Sequence, residues 1–190
     1  MMHFFARLHR SVMLAAALLA ASCMAPPPSP QSSASADPRV DLRQLVNPST
    51  PFGVSVIQDG PAPVVAGQPV RVLVSSTAPG FASLWHIGSA GEIEQLFAAQ
   101  PVAGGQTVSF PAPGAPYRAR YGGPAGMETF IAVVSTTPIT LSDPSPYAGR
   151  GDVLLLPDTP FGFVSRLSRQ LHTLPPNGWN SATATVPLES

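Results

Sequence analysis

At 190 residues and 44% hydrophobic, the chain holds one ordinary domain with flanking segments and is too short for two large ones. Charge is sparse and balances to zero, and every basic residue is an arginine with no cationic stripe, which argues against nucleic acid as a partner. With 24 prolines and 16 glycines, long helices are excluded and short strands joined by Pro-rich turns are favoured, so a mainly β domain is predicted.

Residues 1–22 read as an export signal. Arg7 and Arg10 make the start basic, and Val12 to Ala21 form an apolar core too short to span a membrane comfortably. Ala20-Ala21-Ser22 then supplies small residues directly before Cys23, the single cysteine of the chain. This stretch resembles a lipobox, the bacterial lipoprotein signal. The resemblance implies cleavage before Cys23, diacylation of its sulfur and acylation of the new amino group, because two or more acyl chains hold a protein stably where one holds it marginally. The other reading is an ordinary cleaved signal peptide, cut after Ala21 or Ala25. Met24 stands where an aspartate would resemble an inner-membrane retention signal, so the outer membrane is expected where the cell has two. Residues 23–48 are rich in Pro, Ser and Ala, a composition that builds no core and predicts a disordered tether.

Residues 49–190 are the expected folded domain. FGVSVIQD places Phe52, Val54 and Val56 on one face, and QPVRVLVSS does the same with Val70, Val72 and Val74 while Arg71 points away. FASLWHIG aligns Phe81, Ser83, Trp85 and Ile87, turns through Gly88-Ser89-Ala90-Gly91, and returns as EIEQLF. A hairpin is predicted there, with Glu92 and Glu94 on one side and Ile93 on the other. QTVSFP, YRARY and TFIAVVST extend the series. Strands at this spacing predict an Ig-like β-sandwich with one wet sheet face. Near the C-terminus Val164, Leu167, Leu171 and Leu174 recur at helical spacing behind Thr159-Pro160, which predicts a short amphipathic helix over 160–174 that packs on its own sheet, with Arg166 and Arg169 facing away. ATATVPL alternates again, so a last strand is expected over about 181–188.

The ordered series GQPVRVLVSS (67–76), GFASLWHIGSAGEIEQLF (80–97), AGGQTVSFP (103–111) and YRARYGGPAGMETFIAVVS (117–135) resembles the bacterial domain of unknown function 4384, over roughly residues 52–135. The resemblance implies an envelope lipoprotein module, accompanied in larger proteins by other domains, and brings no established activity. In two places the chain departs from the family pattern. The aspartate expected before the hairpin glycine is missing from I-G-S-A-G, and an L-F-P-N step reads L-F-A-A-Q-P, so any binding role of those polar residues is not expected here.

Chemistry is thin. Beyond the signal the histidines are His86 and His172, and His86 with Glu92 and Glu94 is the nearest thing to a cluster. Because His86 alternates with Trp85, it is expected to be exposed, and no metal or cofactor site is expected. No G-x-S-x-G elbow, phosphate loop or facing carboxylate pair is present, so no enzyme activity is expected. The candidate contacts for a ligand or partner are Trp85, Tyr117, Tyr121 and Trp179, with Arg118 and Arg120 placed to hold an anion. Against this stands the reading that the aromatics fill the sandwich and the arginines are merely solvated. The expected function is that of a membrane-tethered, non-catalytic module that binds another envelope protein, the alternative being a binding module for cell-wall glycan or another small envelope ligand.

Overall fold

The computed structural model describes Asp37, residues 39–141 and residues 153–190. The expected signal and Cys23 lie outside the described residues. The element order is β1 (Val54–Gln58), β2 (Val64–Val65), β3 (Val72–Ser76), β4 (Gly80–Ile87), β5 (Ile93–Val102), β6 (Thr107–Phe110), β7 (Gly126–Ser135), β8 (Leu154–Leu156), α1 (Pro160–Leu171) and β9 (Trp179–Glu189), preceded by a 3-10 turn at Leu42–Leu45.

The strands form two sheets, β1-β3-β6 and β2-β9-β7-β4-β5-β8. All pairings between strands are antiparallel except β2 with β9. The alternation seen in the sequence drives the assembly. Val56, Val72, Val74 and Phe110 of the small sheet meet Ala82, Leu84, Phe130, Ala132 and Val134 of the large one in a shared core, so the fold is a β-sandwich. Ile57 remains exposed on the outer side of the small sheet, its wet face.

A second core lies on the other face of the large sheet. There Trp85, Ile87, Ile93, Ile131 and Val133 pack against Phe163, Val164, Leu167 and Leu171 of α1, with Leu45, Ile139 and Leu156 completing it. Thr159 caps α1 by accepting from the Gly162 N–H, and Pro160 opens the first turn, where a missing N–H costs nothing. The helix ends at Leu171, and Leu174 follows it in a turn yet still packs on this core. Arg169 faces away as expected, but Arg166 does not. It bonds the Asp158 carboxylate and the Leu141 carbonyl, tying the helix to both flanking segments. Among the described residues no helix is long and apolar enough to cross a membrane.

Three local readings are corrected. YRARY does not form a strand: residues 117–121 make a single bridge, Pro69 with Arg120, and bond to residues 67–70 as an edge segment. Pro116 before it and Gly122-Gly123 after it keep the segment short, and its backbone bonds go to the loop at 67–70. The tether was expected to continue to residue 48, whereas Asp37 and Leu45 are already buried. Average composition hid that Leu42 and Leu45 lie three residues apart on one turn, both directed at the helix-side core. Finally, β5 runs to Val102 with register shifts against β4. Ala99 adopts φ 47° and donates its N–H to Ser83 Oγ at 2.9 Å, a bulge that the alternation did not announce.

Because α1 buries its apolar stripe on the sheet, Leu167→Ala is expected to lower unfolding free energy by about 2–4 kcal/mol. Phe161→Ala, at a position 63% exposed on the same helix, is expected to stay within about 0.5 kcal/mol of the parent. Chemical denaturation of the three proteins checks both.

Candidate functional site

The most polar buried feature of the described residues is an array on three adjacent strands. His86 sits on β4 with Glu94 directly opposite it on β5 and Phe130 directly opposite on β7. Glu128 stands two residues before Phe130, so the pleat brings it to the same face as His86. The imidazole lies against the Phe130 ring, centroids 4.8 Å apart and planes at 19°. Its Nδ1 is 3.1 Å from Glu94 Oε2, and its Nε2 is bonded to Glu128 Oε2. The His86 side chain is only 12% exposed and that of Glu128 is 1%. The expectation of an exposed His86 is therefore wrong. Alternation with Trp85 gave the correct face, but that face is the interior of the sandwich, because β4 is covered on both sides.

Further groups surround this array. The Ser89 backbone N–H donates to Glu128 Oε1 at 3.0 Å. Arg39 donates to the carbonyls of Gly88 (2.6 Å), Ser89 (3.1 Å) and Met127 (2.7 Å), and it pairs with the buried Asp37, which also accepts from the Thr129 hydroxyl. Burial by itself would raise the Asp37 pKa, but its bonds from Arg39 and Thr129 hold it below the ordinary value. Glu92 bends back over the hairpin turn, so that a Cβ on Gly88 would meet its carboxylate at 1.9 Å. A side chain at position 88 would displace the Glu92 carboxylate from this place. Ser89 Oγ and Glu92 Oε2 are buried without hydrogen-bond partners.

Tyr121 is 4% exposed and edges onto Phe130 with centroids 6.5 Å apart. Its buried hydroxyl lacks a partner of good geometry, although the Gln58 side chain stands near it. Burial pushes its pKa up to about 12, with Gln58 opposing the rise and the Glu128 charge adding to it.

The structure scatters the candidate contact residues. Trp85 is wholly buried in the helix-side core, 5.9 Å from the Phe163 ring, and donates its indole N–H to Gln95 Oε1 at 3.3 Å. Trp179 is buried there too. Tyr121 belongs to the opposite core, and Tyr117 is half-buried beside Phe110. Arg118 and Arg120 are exposed, the latter donating to the Gly67 carbonyl at 2.6 Å. None of the aromatics forms a shared surface with Trp85.

Sequence reasoning missed Glu128, Asp37 and Arg39. Glu128 had a signal, since a lone carboxylate inside the apolar run GMETFIAVVS is costly to bury unless it is paired. Asp37 and Arg39 had none, as they lie in a stretch whose composition reads as linker.

Chemically the array is a closed ion cluster. Burial alone would lower the His86 pKa, but the bonds to Glu128 and Glu94 and the charges of both carboxylates outweigh it and push the value up to about 9. Glu94 is held below its ordinary value, chiefly by its bond to His86. With both ring nitrogens engaged, the imidazolium has no free atom to accept a proton or ligate a metal. Among the described residues no group of three ligating side chains is arranged to hold a metal ion.

The stability that His86 contributes is complete below its unfolded pKa of 6.5 and is lost as pH rises through about 9. That of Glu94 is present above 4.5 and is lost as pH falls through its lowered folded value. Unfolding free energy is thus expected to decline by about 3 kcal/mol between pH 6.5 and 10. His86→Gln is expected to flatten this decline, as denaturant melts across that range would reveal.

In comparisons with known proteins, no curated protein and no solved structure matches the chain. A family model does match, described as Domain of unknown function (DUF4384), over residues 64–138. The matched stretch holds β2 to β7 and with them His86, Glu94 and Glu128, whereas Arg39, α1 and β9 lie outside it. From β2 to the segment following β7, this chain therefore carries a domain similar to the family known as Domain of unknown function (DUF4384).

Proposed function

We propose that the protein is a membrane-tethered, non-catalytic lipoprotein of the cell envelope that acts as a structural or protein-interaction module. The observation that carries this reading is the placement of the single cysteine, Cys23, directly after an apolar run and three small residues. Acylation there anchors the chain to lipid, and the Pro- and Ser-rich stretch that follows spaces the domain from the bilayer. The lack of turnover chemistry is supported by the engagement of both His86 nitrogens with carboxylates.

The alternative, a module binding wall glycan or another small envelope ligand, rests on half-buried Tyr117 with exposed Arg118 and Arg120. It loses support from the burial of Trp85 and Tyr121.

Intact mass spectrometry of protein extracted from its native membrane is expected to give a chain beginning at Cys23 with added acyl mass, absent from Cys23→Ser. An unmodified, released chain would sink the lipoprotein reading. Cross-linking in membranes is then expected to capture a stoichiometric protein partner. Failure of that step, combined with chemical-shift changes at Tyr117 and Arg118 on adding wall fragments, would favour the glycan alternative.

A further inference from the structure

The Gly88–Ser89 turn is held from two directions. Its carbonyls accept from the Arg39 guanidinium, and the Ser89 N–H supports Glu128, which in turn holds His86. Arg39 also takes the Met127 carbonyl next to Glu128, so one side chain secures the end of β4 and the start of β7 together. From Arg39 the chain runs along the helix-side core. Leu45 is buried there, the Ser168 hydroxyl donates to the Gln44 carbonyl at 3.1 Å, and the Ser181 hydroxyl donates to the Leu45 carbonyl. Asn47 closes the path by donating its amide to the carbonyls of Pro176 and Trp179 at 2.7 Å each.

We propose that Asp37 with residues 39–47 is a latch that couples the position of the N-terminal chain to the His86 array. Its attachment combines polar bonds with Leu45 as its one fully buried apolar anchor and Val40 and Leu42 partly buried beside it, whereas the sheets are joined by continuous ladders and two apolar cores. Release of such a segment is a local opening, well short of global unfolding. Load or displacement arriving along the chain from the N-terminal side reaches Asp37 and Arg39 first. Once Arg39 leaves, the Gly88 and Ser89 carbonyls lose their guanidinium partner, and the turn is left with its own Gly88–Glu92 and Gly91–Gly88 backbone bonds and an unbraced Ser89–Glu128 bond. The inference goes beyond the proposed function and holds whether or not Cys23 is acylated.

The test is native-state hydrogen exchange on the full chain, read at the amides of 40–47, at the Ser89 amide and at the His86 ring N–H. Arg39→Ala is expected to speed exchange at all three by at least about tenfold while the amides of β1 and β3 keep their rates. Arg39→Lys, which keeps the cation but not the three-carbonyl reach, is expected to fall between. Arg43→Ala, in the same segment but in an exposed pair with Asp41, is expected to change nothing at Ser89 or His86. Faster exchange confined to 40–47 would overturn the coupling, as would a uniform rise across all strands. Should Arg39→Ala fail to fold, Arg39→Lys carries the same comparison with the same overturning outcomes.

Discussion

The structure depends on one constraint, that the two central strands of the large sheet are buried on both faces. From Glu128 to Ser135, β7 has no exposed side chain, and β4 is nearly as enclosed. A strand of this kind needs a layer on each side, and a three-stranded sheet supplies only one. The other comes from α1 and the turn at Leu42–Leu45, which close over Trp85, Ile131 and Val133. Elements at the two ends of the described chain are thus required by residues in its middle.

This arrangement determines how polar groups at the sheet end behave. A histidine on a two-sided strand has no route to bulk water except past its neighbours, so its charge must be balanced in place. Glu94 and Glu128 provide that balance from the strands on either side, and Phe130 fills the remaining contact. A buried ion cluster contributes less to stability than its number of bonds suggests, because each charge gives up hydration. Its clearer effect is on register. A shift of β5 or β7 by one residue would turn its carboxylate to the opposite face and leave the imidazolium with one of its two partners.

Much of the fold was legible because its signals are local. The alternation of Val72 and Val74, the glycine turn after Ile87 and the Thr159-Pro160 start of α1 each act within a few residues, and each appears where the pattern put it. What escaped depends on distant neighbours. A two-residue strand such as β2 exists only because β9 lies beside it, and the three-residue β8 only because of β5. The polar cluster escaped for the same reason. The pattern paired His86 with Glu92 and Glu94 across the hairpin, but β7 is forty residues on, and nothing in the spacing says that it lies against β4. Trp85 and Tyr121, attractive as surface aromatics in a list of residues, were drawn inward by sheets whose second faces the alternation could not foresee.

The bulge in β5 has a bearing on how any partner approaches. Beyond Gln95 this strand has no ladder partner on its outer side among the described residues, which ordinarily invites a foreign strand to pair along it. Ala99 in its left-handed conformation breaks the row of donors and acceptors, and Pro101 removes one N–H outright. The margin is thereby guarded against indiscriminate stitching of one sheet to another. What that margin presents to its surroundings is side-chain shape and charge more than bare backbone.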